Sequence, residues 1–246
     1  MKKSLIFSLL LANVSFGIPI SSITWQSAQS ITGDSDVKTN GSLLYAYNVG
    51  ASGVAGTTVN GVAFLAYAFA SNYSSQTVTV GSVSMTESPG VLVSSNTLGG
   101  SSAPFTSLSS GYQTLLGSGG SASNPASITV AFGGLTSGQQ YLVQWWTNNS
   151  ANGKIDVELG LNNTTATSGL NTATLDANTT NVAGGPGQYV TGTFTAAGTS
   201  QTMVLSASGS DAPLINAFQV RAVPEPSSLA LVAAACGALT LRRRRK

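Results

Sequence analysis

The segment Gln140-Tyr-Leu-Val-Gln-Trp-Trp-Thr147 is the clearest single strand in the sequence. Its period-2 alternation divides the side chains between two faces, with Tyr141, Val143 and Trp145 on one and Leu142, Gln144 and Trp146 on the other. The first face is the better candidate for the core. The segment therefore predicts a strand that packs against a second layer.

Short runs of the same kind occupy the chain from residue 20 onward. They are apolar or alternating, they are separated by clusters of Gly, Ser, Asn and Thr, and no helical period extends over about 11 residues. The predicted strands are 20–26, 43–49, 62–69, 77–85, 127–132, 140–147, 154–160, 189–195, 202–206 and 214–220. Strands at this spacing predict an all-β fold in which two antiparallel sheets form a sandwich.

Two connections carry specific expectations. Residues 133–138 are rich in turn-forming residues, so strands 127–132 and 140–147 are predicted to form a hairpin. Residues 99–123 have the least regular pattern, and we expect a long loop there that can include one helical turn. Strand 214–220 runs almost directly into Pro224, which predicts that the C-terminal segment leaves from the edge of the sandwich.

The N-terminus has the layout of a cleavable secretory signal. Met1-Lys2-Lys3 precedes an apolar run from Leu5 to Val14, and small residues follow at Ser15 and Gly17. Cleavage is expected after Gly17. Residues 1–17 are therefore predicted to be a signal peptide, and 18–222 the exported domain.

The C-terminal segment 223–246 has three parts. Pro224-Glu225-Pro226 ends the strand pattern, because proline fixes φ and removes a backbone donor. An apolar run follows from Leu229 to Leu241, and a basic tail closes the segment with Arg242, Arg243, Arg244, Arg245 and Lys246. Cations of this kind stop translocation and stay on the cytoplasmic side. The segment therefore predicts a stop-transfer tail with a short transmembrane helix at 229–241.

The order, spacing and terminal position of these three parts resemble the PEP-CTERM sorting signal of exported bacterial proteins. The resemblance implies recognition by an exosortase, a membrane-embedded transpeptidase-like enzyme, and cleavage near Pro224-Glu225-Pro226. It also implies that the inner membrane holds the protein through its C-terminus before processing, and that the product lies at the cell-envelope surface or outside the cell. The alternative is an ordinary membrane anchor. The apolar run favours processing, since about 13 residues give about 20 Å of helix against a hydrocarbon core of about 30 Å.

A second resemblance covers part of the exported domain. The Gly134-Leu135-Thr136 turn, the strand 140–146 and the segments 187–194 and 214–220 are similar to galactose-binding-like jelly rolls. This resemblance implies a jelly-roll-like sandwich, a fold that often binds carbohydrate. Fold alone does not assign a function.

Charge changes sign once the export signals are set aside. The whole sequence has a formal net charge of +2, but residues 18–222 contain three cations and seven carboxylates, or about −4. This balance argues against a nucleic-acid partner. The one cysteine, Cys236, lies in the apolar run, so no disulfide is expected in the exported domain.

The sequence offers few groups for catalysis. It contains no histidine, which excludes Ser-His-Asp and Cys-His sites and the usual zinc sites. Asp156 and Glu158 lie at i and i+2 of one predicted strand and could form the carboxylate pair of a glycosidase. A solvated strand face explains the same pattern. We therefore expect a protein that is not an enzyme.

Two candidate binding sites remain. Asp34 and Asp36 flank Ser35 in a Gly-Ser loop and could supply oxygen ligands to calcium, although aspartates in such loops also form turns. Trp146 and Gln144 share the face opposite the predicted core, where an exposed indole beside an amide could stack on a sugar ring. Alternatively, residues 99–123 could cover Trp146.

The sequence thus predicts a non-enzymatic exported protein that an exosortase sorts and cleaves. We expect it to be a component of the cell surface or of an extracellular polysaccharide matrix, with no required cofactor. The first alternative is a calcium-assisted, lectin-like carbohydrate-binding module. The second is a glycoside-active enzyme that uses Asp156 and Glu158.

Overall fold

The computed structural model describes residues 23–69, 73–74, 77–88, 91–122, 127–152, 158–163, 172–207 and 212–224. The predicted signal peptide and the predicted apolar helix at 229–241 lie outside these residues. Within them, no helix has the length and apolar character that a membrane span requires.

The described residues form an all-β sandwich, as the sequence predicts. Its strands, in chain order, are β1 (Thr24–Trp25), β2 (Gln29–Ser30), β3 (Ser42–Ala51), β4 (Thr57–Val59), β5 (Val62–Phe69), β6 (Tyr73–Ser74), β7 (Thr77–Val80), β8 (Val83–Ser88), β9 (Val91–Ser95), β10 (Gly119–Ala122), β11 (Ser127–Gly133), β12 (Gln140–Thr147), β13 (Glu158–Asn163), β14 (Ala173–Asp176), β15 (Gln188–Thr195), β16 (Ser200–Ala207), β17 (Leu214–Ile215) and β18 (Ala217–Ala222). The helical segments among the described residues are two 3₁₀ turns, Asp34–Asp36 and Phe105–Ser107, and helix α1 (Ser110–Gly117).

These strands form three sheets. The large sheet has the order β1-β15-β12-β18-β3-β5-β4, and β2 also pairs with β15. A six-stranded sheet has the order β14-β13-β16-β11-β8-β7, and a smaller one has the order β17-β10-β9-β6. The pairs among the described strands are antiparallel, apart from β3 and β5, which run parallel. This arrangement is consistent with the jelly-roll-like sandwich that the resemblance implies.

The main core lies between the large and the six-stranded sheets. Tyr141, Val143 and Trp145 of β12 are buried in it, which confirms the predicted inner face. Phe218 of β18 lies among the aromatic rings of this core. Its ring centroid is 5.8 Å from that of Trp145 in the large sheet and 5.5 Å from that of Phe132 in the six-stranded sheet. Aromatic rings at such distances contribute about 0.5–1.5 kcal/mol per pair beyond the burial of area.

A second layer covers the outer face of the large sheet. It consists of residues 31–41, which we call the strap, and of the segment that contains α1. Helix α1 begins after Ser109, whose hydroxyl accepts a hydrogen bond from the Tyr112 amide at 3.2 Å. The helix buries Tyr112, Leu115 and Leu116, which lie at i, i+3 and i+4 on one face. The middle of the large sheet, at β12 and β18, is therefore buried on both sides.

The predicted hairpin of strands 127–132 and 140–147 is wrong. β11 pairs with β16 and β8 in the six-stranded sheet, whereas β12 pairs with β15 and β18 in the large sheet. The Gly-rich connection crosses from one sheet to the other, with hydrogen bonds from the amides of Leu135 and Gly138 to the carbonyls of Thr199 and Ala196. Its length suits either geometry, and the distant partners of each strand decide between them.

Other boundaries differ from the prediction in smaller ways. The predicted strand 77–85 is two strands, β7 and β8, because Gly81 adopts a positive φ and makes a turn. The predicted loop 99–123 contains α1, which is longer than one turn, and β10. Residues 20–22 of the predicted strand 20–26 and residues 154–157 of the predicted strand 154–160 lie outside the described residues.

Candidate functional site

The last strand carries the chain toward its C-terminal segment from the middle of the large sheet. β18 lies between β12 and β3, with Ala222 opposite both Tyr141 and Ser42. The expectation that the C-terminal segment leaves from the edge of the sandwich is therefore wrong. A strand with partners on both sides is held by two hydrogen-bond ladders, whereas an edge strand has only one.

Hydrogen bonding of the backbone continues one residue beyond β18. The Val223 amide donates to the Gln140 carbonyl at 2.9 Å. The Val223 carbonyl accepts from Nε2 of Gln139 at 2.6 Å. The next residue, Pro224, is exposed. The junction between the folded domain and the predicted sorting element therefore lies at Val223 and Pro224.

Arg221 links this junction to the strap. Its Nε donates to the Asn40 carbonyl at 2.9 Å, and its Nη2 donates to the carbonyls of Thr39 at 2.8 Å and Gly41 at 2.9 Å. Its Nη1 donates to Oε1 of Gln219 at 3.2 Å. Burial lowers the pKa of the Arg221 guanidinium, because desolvation disfavours its charge. Arg221 is a structural clamp between β18 and the strap.

Gln144 belongs to the same hydrogen-bonded group of side chains as Arg221, because Gln219 contacts both of them. Its Nε2 donates to the Asp36 carbonyl at 2.7 Å, and its Oε1 accepts from the Lys38 amide at 3.0 Å and from Nε2 of Gln219 at 2.8 Å. Gln144 is fully buried. The interpretation of Gln144 as a surface amide for sugar hydroxyls is wrong, because its side chain fastens the strap to β12 and β18.

Trp146 is also fully buried, so its interpretation as an exposed stacking platform is wrong. Its Nε1 donates to the Tyr112 hydroxyl at 3.0 Å, and its ring lies edge-on to Phe64 with centroids 5.6 Å apart. Tyr112 belongs to α1, which confirms the alternative that residues 99–123 cover this indole. Trp146 is a core residue between the large sheet and the second layer.

Asp36 holds the strap through its carboxylate. Oδ2 accepts from the amides of Thr32 at 2.8 Å and Gly33 at 3.0 Å, and Oδ1 accepts from the Thr32 hydroxyl at 3.0 Å. The Tyr112 hydroxyl also donates to Oδ2, at 3.3 Å. Burial, and next the negative charge of Asp36, raise the pKa of Tyr112 well above its usual value.

Asp34 points toward a different partner. Its Oδ1 accepts from the Ser109 amide at 3.3 Å, immediately before α1. Protein donors thus contact both aspartates, which favours the interpretation as turn formers. Among the described residues, no group of three or more Asp, Glu, His or Cys side chains could hold a metal ion. Calcium binding at Asp34 and Asp36 stays a prediction.

The structure describes only one residue of the carboxylate pair that the glycosidase interpretation requires. Glu158 begins β13, and Asp156 lies outside the described residues. The glycosidase interpretation and the expectation of no enzymatic activity both stay predictions.

A polar cleft of about 670 Å³ lies near the end of β12 that is opposite to the junction. Loops after β3, β9 and β12 and one side of α1 line it. Exposed hydroxyls of Ser101, Ser102 and Ser110 and the exposed amide of Asn96 face it, and its lining residues are uncharged. Such a cleft can hydrogen-bond a neutral polar ligand. Sequence reasoning missed it, because its lining comes from an irregular segment.

Sequence reasoning also missed Arg221 and Gln139 at the junction. One signal could have identified the first of them. Arg221 is the only arginine before Arg242, and it lies in an otherwise uncharged strand directly before Pro224. A lone arginine in such a strand indicates a buried clamp that uses several donors at once.

The comparison with known families bears directly on this junction. The PEP-CTERM protein-sorting motif matches residues 222–246. A search of curated proteins finds no match to the chain. The family match thus covers the junction and the C-terminal segment, and it does not extend to the sandwich.

The match confirms the predicted sorting signal. The PEP-CTERM motif begins at Ala222, inside β18, and Pro224 is its exposed third residue. Glu225, Pro226, the apolar run and the basic tail lie outside the described residues. A PEP-CTERM motif implies export, processing by an exosortase, and a final location at the cell envelope or outside the cell.

Proposed function

We propose that this protein is a non-catalytic component of the cell surface or of an extracellular polysaccharide matrix. An exosortase delivers it after cleavage on the C-terminal side of Val223, and the sandwich is the part that remains. The observation that carries this proposal is the overlap of the PEP-CTERM motif with the last residues of the central strand β18.

The geometry of the junction supports a mature product that keeps its fold. The strand pairs of β18 end at Ala222, and the last backbone contacts of the domain are made by Val223. Cleavage beyond Val223 would leave the described sheets complete. The mature domain would carry a modest negative charge, and its abundant hydroxyls and amides suit a hydrated polysaccharide environment.

Intact mass of the exported protein tests the proposal. We expect the C-terminus to lie at or after Val223 in cells that have the sorting enzyme, and to extend to Lys246 in cells that lack it. As a control, Pro224→Ala with Pro226→Ala alters the motif and leaves the contacts of Val223 in place, and it should preserve the longer form. A full-length C-terminus in both kinds of cell would contradict sorting.

The polar cleft favours a second candidate function, which is contact with carbohydrate. It replaces the site at Trp146 and Gln144, because those side chains are buried. Its lining of hydroxyls, an amide and glycine backbone could hydrogen-bond sugar hydroxyls without charge.

Glycan-array binding tests this candidate. Ser101→Phe would fill the cleft and should abolish binding, whereas Val182→Phe, at an exposed position outside the cleft lining, should preserve it. Absence of binding across the array, or equal binding by both variants, would contradict the candidate.

A further inference from the structure

The described turns at the end of the sandwich from which β18 emerges are uncharged, and so are residues 39–41, the part of the strap that leads into β3 there. We call this end of the sandwich the motif end. Four connections among the described residues lie there. Residues 81–82, 133–139 and 196–199 adjoin Gly133 or Gln140, and residues 60–61 precede β5, which runs parallel to β3 from the same end. None of them contains Asp, Glu, Lys or Arg.

The acidic residues of the described chain lie toward the opposite end. Glu87 is opposite Ile128 near the start of β11, and β11 reaches the motif end only at Gly133. Glu158 pairs with Asp176. The Asp176 amide donates a hydrogen bond to Oε1 of Gln188, which is the first residue of β15. The two aspartates of the strap lie near α1. The strap reaches the motif end only at residues 39–41, next to Arg221. The negative charge of the described residues is therefore displaced from the junction.

Exposed leucines lie beside the junction instead. Leu43 is opposite Arg221, and the neighbouring residue Ser42 is opposite Ala222. Leu43 and Leu44 are each 39% exposed, although they lie at the start of a strand that is otherwise well buried. The motif end thus presents apolar side chains with no charged residue in its turns.

The sequence limits how far this end can lie from a membrane. Pro224 and Leu229 are five residues apart, and an extended chain of that length reaches at most about 18 Å. The polar region on each side of a bilayer is about 5–7 Å thick. While the apolar run lies in the membrane, Pro224 must therefore stay within about 11–13 Å of the outer surface of the headgroups, which keeps the motif end next to the bilayer.

We propose that the motif end is a membrane-contact surface, with Leu43 and Leu44 at the depth of the lipid headgroups while the sorting tail is inserted. The partner is an anionic bilayer surface, which would repel the carboxylates of the opposite end and accept an end that is partly apolar and has no carboxylate among its described residues. This inference rests on the membrane step of the proposed function. It assigns the sandwich an orientation, in which the polar cleft faces away from the membrane.

Site-specific fluorescence in the full-length protein tests this surface. Cys236→Ser removes the native thiol, and Leu43→Cys or Leu44→Cys then carries an environment-sensitive label. Val182→Cys is the matched control, because Val182 is 60% exposed and lies in the connection before β15, at the opposite end. The protein is reconstituted into phosphatidylethanolamine and phosphatidylglycerol vesicles, with or without headgroup nitroxide lipids.

We expect the labels at residues 43 and 44 to shift to the blue and to lose emission when nitroxide lipid is present, and the label at residue 182 to do neither. Vesicle flotation of the same samples reports insertion of the tail separately. Flotation with equal, unquenched emission at residues 43 and 182 would overturn the contact surface alone. Absence of flotation would overturn the membrane step and the surface together.

Discussion

Arg221 shows how one side chain can connect the folded domain to its sorting signal. It lies one residue before the matched motif and donates to three consecutive carbonyls of the strap, those of Thr39, Asn40 and Gly41. Its charge is buried without a carboxylate among the partners named above, so carbonyl and amide oxygens must compensate for its desolvation. The guanidinium suits this role, because its five donors have a fixed planar geometry.

Replacement of Arg221 by methionine should therefore destabilise the domain. The change removes the four hydrogen bonds and leaves part-buried carbonyls without donors, so we expect the free energy of unfolding to fall by about 2–4 kcal/mol. Urea unfolding followed by tryptophan fluorescence measures this change.

Lys38→Met is the matched control for that prediction. It removes one positive charge from the same strap, but the strap contacts of Lys38 with Gln144 and Gln219 use backbone atoms, which the substitution keeps. Its effect should stay within about 0.5 kcal/mol. Equal losses in both variants would indicate that net charge, and not the clamp, accounts for the effect.

Trp146 marks the limit of prediction at the residue scale. The alternation of β12 correctly identified its inner face, because that face is uniformly apolar or aromatic. Its other face carries Leu142, Gln144 and Trp146, a mixture that is compatible with solvent or with a second layer. The covering residues Phe64 and Tyr112 are far away in sequence, so local pattern could not identify them.

At the scale of elements, strand position was easier to predict than strand partner. The bounds of β5 and β12 agree with the prediction, because each combines a period-2 pattern with clear turn residues at its ends. The pairing of β11 with β12 failed, since neighbouring strands can form a hairpin or cross between sheets with a similar connection. Pairing depends on side chains across the sandwich, which sequence neighbours do not reveal.

Short strands were missed for a related reason. β2, β4 and β14 have two to four residues, and β10 begins with two glycines. Such segments carry too few alternating positions for a period to show. They are strands because longer neighbours supply their hydrogen-bond partners.

At the scale of the whole molecule, the two ends of the sandwich differ in charge and shape. The motif end is uncharged in its turns and carries exposed leucines, whereas the opposite end carries the polar cleft and lies toward the acidic residues. This polarity matches the proposed orientation, in which the sorting tail brings one end to the membrane and leaves the other free to contact its surroundings.

Buried and partly buried tyrosines predict how the stability of the whole domain depends on pH. Burial raises the pKa values of Tyr45, Tyr47, Tyr67, Tyr112 and Tyr189 above the usual value of 10.0. Above about pH 10 the unfolded chain loses these protons first, so each strongly shifted group should lower the free energy of unfolding by up to about 1.4 kcal/mol per pH unit. Their contribution is fully present below that pH.

Urea unfolding between pH 7 and pH 11 checks this expectation. Tyr112→Phe removes one of the titrating groups, so its stability should fall less steeply above about pH 10 than that of the parent protein. A free energy of unfolding that stays constant through pH 11 would contradict the prediction.

The sequence by itself determined the sorting signal, the all-β class and the inner face of β12. These features depend on local order: the succession of motif, apolar run and cations, and the period of two within one strand. Only the tertiary structure decided that Trp146 and Gln144 are buried, that β11 and β12 lie in different sheets, and that the sorting motif begins on a central strand. Those outcomes depend on contacts between residues that are distant in the chain, where several arrangements satisfy the same local pattern and packing selects one.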